Sequence, residues 1–83
     1  MDAARLTWDS QGPETKRALL GLLPDDWSFA GKRVLDFGCG TGRTLQHFLP
    51  EAETGEFWGA DINAHYVDVA RQALSPQMKV FRR

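Results

Sequence analysis

Apolar and polar positions divide this chain into short segments, and the spacing inside each segment names its structure. Residues 1–11 carry Ala3, Ala4, Leu6 and Trp8 without a steady period, so they predict only a short or frayed helix. From Pro13 the pattern sharpens. Proline suits a first helical position, Glu14 suits the positive helix end, and Ala18, Leu19, Leu22 and Leu23 form an apolar stripe that stops before Pro24. Gly21 within that stretch costs on the order of 1 kcal/mol relative to alanine. Residues 25–31 are a connector whose Trp27 and Phe29 are expected to plug the base of a sheet.

The rest of the chain alternates between two periods. Residues 34–37 form a short apolar run that predicts a strand, and Leu45, Phe48 and Leu49 share one face of a predicted helix over residues 43–49. A polar turn at 50–55 leads to a second strand at 56–60. Asn63 is placed to cap a helix over 64–74, with Val67, Ala70 and Leu74 facing inward and Ser75-Pro76 ending it. Residues 78–82 predict a third strand, and the charges of Lys79 and Arg82 mark it as an edge. The order β-α-β-α-β calls for parallel strands joined by right-handed crossovers, in spatial order 3-2-1. The fold class expected is α/β, one half of a Rossmann-like three-layer sandwich, with one or two leading helices. Residues 1–31 then form a helical leader and 32–83 the half-domain.

Chemistry concentrates where the first strand ends. Val34-Leu35-Asp36-Phe37 runs into Gly38-Cys39-Gly40-Thr41-Gly42-Arg43, a turn with alternate glycines. Glycine permits the sharp bend and lets a ligand approach the backbone closely. A helix starting after such a turn would offer unpaired N–H groups to a negative or hydroxyl-rich ligand group. The dinucleotide fingerprint G-x-G-x-x-G lacks its third glycine here, because position 43 is Arg, and the Gly-Lys-Ser/Thr of a P-loop is absent. A second signal is Phe57-Trp58-Gly59-Ala60-Asp61-Ile62-Asn63, an apolar run that ends in a carboxylate 19 residues after Gly42. A carboxylate at a strand end can accept hydrogen bonds from both hydroxyls of a ribose.

"VLDFGCGTG" resembles motif I of the class I S-adenosylmethionine-dependent methyltransferases, whose form is apolar-apolar-Asp/Glu-apolar-G-x-G-x-G. The resemblance covers roughly residues 32–82 and includes the Asp61 strand. It implies that S-adenosylmethionine is the cofactor, with Asp36, Phe37, Gly38, Cys39, Gly40, Thr41 and Gly42 around it. Within that set the glycines would line the methionyl and ribose portions, and Asp36 would sit near the methionyl amino end. It further implies that Asp61 holds the ribose and that Ile62 lies against the adenine. An N-terminal segment often closes over the cofactor in this family, which offers Trp8 a lid role beside the plainer one of core packing. The later strands of the family are missing, so the chain reads as an N-terminal half. The isolated chain is expected to be inactive, and the methyl acceptor and any general base remain unassigned.

Composition narrows the setting. The 83 residues are 42% hydrophobic and 25% charged, with net charge −1, which fits one small folded domain and argues against nucleic acid as the main partner. No apolar run reaches the roughly 18 residues of a membrane span. With one cysteine, no internal disulfide forms, and a cytoplasmic location is expected. Cys39 reads as a small residue filling the loop, with a reactive thiol beside a helix start as the alternative. His47 and His65 each lack a second ligand at helical spacing, so no metal site is expected. Two further readings stay open: a non-catalytic adenosyl-ligand module and a dinucleotide-binding half unit. The apolar first strand would lie at a sheet edge, which predicts self-association, most simply as a homodimer.

Overall fold

In a computed structural model, the structure describes residues 13–83. The expectations for residues 1–11, including Trp8, lie outside that range. Three strands, β1 (Arg33–Phe37), β2 (Glu56–Asp61) and β3 (Lys79–Arg82), form one parallel sheet with β2 in the middle. The spatial order is the expected 3-2-1 read from the other edge. Helix α1 occupies residues 13–21 and α2 is Ala64–Leu74.

The register explains how the sheet builds its core. Val34 pairs with Phe57 and Gly59 with Val80, so these side positions share one face. On that face Phe57 and Val80 join Cys39, Leu45, Phe48, Met78 and the inward stripe of α2, namely Val67, Ala70 and Leu74. The stripe matches the periodicity of the sequence, and Asn63 caps the helix by accepting from the Tyr66 amide at 3.0 Å. Arg71 at the other end donates from Nε to Val80 O at 2.8 Å, which fastens α2 to β3. The opposite face carries Trp58, Phe81, Leu35 and Phe37. Trp58 and Phe81 meet edge to face at 6.0 Å, whereas Leu35 and Phe37 are 54% and 75% exposed.

Phe29 fulfils its expected role at the base of the sheet, with its ring 5.7 Å from Phe48 and 5.5 Å from Phe57. Trp27 sits outside it, edge-on at 5.7 Å.

Two expectations are corrected. The segment expected to be helical over 43–49 contains only a 3-10 turn, Leu45–Phe48, followed by another at Glu51–Glu53. A first turn fixes several residues for one hydrogen bond, and with Pro50 close behind, the segment is too short to repay that nucleation. The leading helix also ends at residue 21, so Leu22 and Leu23 fall beyond it, and Leu22 is 82% exposed. Its anchor is polar: Lys16 Nζ donates to His47 O at 2.6 Å and to Glu51 Oε1 at 2.9 Å, and lies 4.9 Å from the Phe48 ring centre.

Candidate cofactor site at the ends of the first two strands

The loop after β1 takes its shape from glycine. Gly38, Gly40 and Gly42 have φ of 82°, 58° and 86°, a region that side chains with a Cβ avoid. Beyond conformation, Gly38 and Gly42 do different things. A Cβ at Gly42 would lie 2.7 Å from Leu74 Cδ1, so this glycine lets the loop pack against α2. At Gly38 a Cβ would meet nothing within 4 Å, so the backbone there borders open space.

The loop amides are directed to the end of β2. Gly38 N and Cys39 N both donate to Ala60 O, at 2.7 and 2.9 Å. Gly40 N donates to Asp61 Oδ2 at 2.9 Å, and Asn63 N donates to Asp61 Oδ1 at 2.8 Å. Asp61 is therefore joined to the glycine loop on one oxygen and to the start of α2 on the other. This arrangement differs from an anion cradle, because a carboxylate of the chain itself already receives the Gly40 amide. With only a four-residue 3-10 turn behind the loop, the helix terminus that would have supplied further amides and a dipole is missing.

Asp36 stands on β1 opposite Gly59, on the same sheet face as Asp61. Burial and, secondarily, the Asp61 charge hold its carboxyl above the ordinary carboxylate range. Two carboxylates thus converge at the mouth of the loop. Such a site favours a ligand group that brings positive charge or hydroxyl donors.

The other expected residues divide by exposure. Phe37 and, at 74% exposed, Ile62 offer apolar surface at the two strand ends. Cys39 points into the core at 1% exposure, and burial, with the Asp36 and Asp61 charges behind it, pushes its thiol up to about 11. Its side chain belongs to packing, and the reactive-thiol alternative fails on that ground. Among the described residues no group of three His, Cys, Asp or Glu side chains is placed to hold a metal ion.

Three contributors were not visible as site residues in the sequence. Gly59 is one: a Cβ there would lie 2.8 Å from Leu45 Cδ1 and 2.9 Å from Cys39 Sγ, and glycine inside a strand is the available signal for such close approach. Arg82 donates from Nε to Ile62 O at 2.8 Å and so braces the turn that presents Ile62, where its charge had indicated only an edge strand. Asn63 supplies a backbone amide to Asp61 besides capping α2. A separate concavity of about 330 Å³ lies over Arg33, Val34, Leu35, Glu56 and Trp58. It sits at the starting end of β1 and β2, and its two charges, Arg33 and Glu56, pair with each other at 3.0 Å.

Comparison with known proteins converges on the same segment. The family described as "Methyltransferase domain" matches residues 34–82. Over 70 residues the chain is 36% identical to a magnesium-protoporphyrin O-methyltransferase of Rhodobacter capsulatus, covering 83% of this chain but 30% of that protein. Among solved structures, the YcgJ protein of Bacillus subtilis aligns with a TM-score of 0.57 and 28% identity, over 68% of this chain and 25% of the other. The structure of PKMT2 from Rickettsia typhi in complex with AdoHcy aligns with a TM-score of 0.59 at 24% identity, over 76% of this chain and 13% of that one. The last likeness shows the fold alone. In each comparison this chain spans less than a third of its counterpart.

Proposed function

Because the chain belongs to the class I S-adenosylmethionine-dependent methyltransferases, we propose that it binds S-adenosylmethionine across the carboxyl ends of β1 and β2. In this reading it is the cofactor half of an enzyme that methylates an acceptor not identified by these residues. The observation that carries the proposal is the pair of carboxylates, Asp36 and Asp61, beside a glycine loop whose Gly38 borders open space.

The residues present fit the group. Gly38 leaves room for a ligand at van der Waals distance from the backbone. Asp61 accepts two amide hydrogen bonds, and a carboxylate has about four acceptor positions, so it retains capacity for ribose hydroxyls. Asp36 supplies negative charge for the methionyl ammonium, and exposed Ile62 supplies an apolar surface for adenine. When bound, the cofactor supplies a methyl group on a sulfonium, already a good leaving group. What remains for the protein is to orient that group toward the acceptor and keep it in line.

A dinucleotide is disfavoured on the same geometry, since its pyrophosphate would meet the Asp61 carboxylate at the Gly40 amide. The low cysteine count and buried thiol support a reducing, cytoplasmic setting. Self-pairing through β1 into a homodimer belongs to the same proposal. Calorimetric titration with S-adenosylhomocysteine and, in parallel, NAD tests the cofactor reading. Heat from the first alone supports it; saturable binding of NAD alone, or of neither ligand, overturns it.

A further inference from the structure

Asp61, the last residue of β2, and the two residues after it form a junction held from several directions. Asp61 Oδ2 takes the Gly40 amide and Oδ1 takes the Asn63 amide. Asn63 Oδ1 takes the Tyr66 amide, which starts α2. Arg82 Nε donates to Ile62 O at 2.8 Å, and Arg83 N donates to Asp61 O at 2.9 Å, so β3 holds the junction from the other side.

Within the glycine loop this junction has a particular target. The Gly38 and Cys39 amides are already fixed by Ala60 O on the sheet. Gly40 is the first loop amide held by a side chain instead. Glycines at positive φ have many alternative conformations, so a loop containing three of them needs an external tie to keep one shape. A carboxylate is a strong tie, because its hydrogen bonds are charge-assisted.

We propose that Asp61 is the positioning residue of the glycine loop: its carboxylate sets the loop's shape before any ligand arrives and couples that shape to the first turn of α2. This goes beyond the ribose contact the family resemblance implies. The loop tie stands on this chain's own hydrogen bonds, and only its effect on affinity rests on the cofactor reading.

Amide hydrogen exchange of the ligand-free 83-residue chain, followed by NMR, tests the tie. Asp61→Ala is expected to speed exchange at Gly40 and Asn63 by about tenfold, the scale of a lost charge-assisted bond, while Gly38 and Cys39 keep their protection. Asp61→Asn keeps one acceptor oxygen and is expected to release one of the two amides. Unchanged exchange at both Gly40 and Asn63 in either variant overturns the proposal. If Asp61→Ala loses protection everywhere by unfolding, the Asn variant decides. A second arm titrates S-adenosylhomocysteine and its 2′,3′-dideoxy analogue into wild type and Asp61→Asn. Loss of a positioning residue weakens the dideoxy analogue as well, by about tenfold, with a further loss for the hydroxyl-bearing ligand from its ribose contact; weakening confined to the hydroxyl-bearing ligand assigns Asp61 to ribose contact alone and overturns the positioning role in binding. Failure of wild type to bind either ligand counts against the cofactor reading and leaves the exchange result to decide the tie.

Discussion

Gly59 on β2 faces Cys39 in the loop so closely that a Cβ on the glycine would lie 2.9 Å from the cysteine sulfur. The same Cβ would lie 2.8 Å from Leu45 Cδ1, so the strand, the loop and the 3-10 turn meet with no room between them. Gly59→Ala would ordinarily gain from reduced backbone freedom in the unfolded chain. Overpacking outweighs that gain here, and a net loss of about 1–3 kcal/mol is expected. A urea midpoint as high as that of wild type would show that Cys39 and Leu45 move aside freely.

The Cys39 thiol should be inert while the chain is folded. It is buried and pushed up to about 11, so little thiolate exists near neutrality. Iodoacetamide is expected to label it only as fast as the fold opens, with full reactivity in denaturant. The sign of the linked pH effect follows. The folded state holds the thiol proton more tightly than the unfolded state, so stability is unaffected below the ordinary value of 9.0 and falls as pH rises toward about 11. Cys39→Ser should shrink that alkaline loss.

Asp36 illustrates a group retained against stability. Its carboxyl is raised by burial and by Asp61, so ionising it is harder in the folded chain than in the unfolded one. Its favourable contribution is complete below the ordinary value of 3.8 and is lost as pH rises through the folded value. Asp36→Asn is therefore expected to raise the melting temperature at pH 7, by a stabilisation of about 0.5–2 kcal/mol, and to weaken S-adenosylmethionine binding. A lower melting temperature in the variant would mean that the carboxylate is structurally needed.

Among the described residues strand β1 is paired on one side, by β2, and two of its outward side chains, Leu35 and Phe37, are largely exposed. An apolar strand with a free row of backbone groups recruits another strand. We expect a two-fold dimer that pairs residues 33–37 of two copies. Light scattering over a dilution series should show a concentration-dependent mass. A monomer at every concentration up to the micromolar range would show that the edge is covered within one chain.

Methyl transfer by the 83 residues alone is not expected, since they span 30% of the length of the related O-methyltransferase. A radiolabelled transfer assay across a broad acceptor panel is the measurement. Protein-dependent label in any acceptor would establish that this half suffices.

Local rules made most of the fold legible. Asn63 and Ser75-Pro76 bracket α2, and the structure places the helix at Ala64–Leu74 as expected, because a cap and a stop are local events. The strands were legible for the same reason, each being a short apolar run with polar punctuation. The segment after the loop was misjudged because Leu45 and Phe48, three apart, serve a 3-10 turn as well as they serve an α-helix. At the site, Gly38 and Asp61 announced themselves by type and spacing. The Asp61 to Gly40 bond and the Arg82 to Ile62 bond did not, since they join residues 21 and 20 positions apart and depend on register.

The one-sided core has a consequence for how the chain reaches its fold. Among the described residues, the cluster that fills the covered face comes from positions 29–80, and each strand is joined to the next by a single crossover. Loop closure over such distances adds little entropy cost, so the contacts that define the unit are kinetically near ones. The covered face can consolidate as an early, self-contained step, with the hydrophobic edge and the Leu35–Phe37 side presented as a ready surface. During synthesis that surface would be the first in line for whatever segment or second copy pairs with it, which makes the order of events, as much as the final contacts, a determinant of the assembled protein.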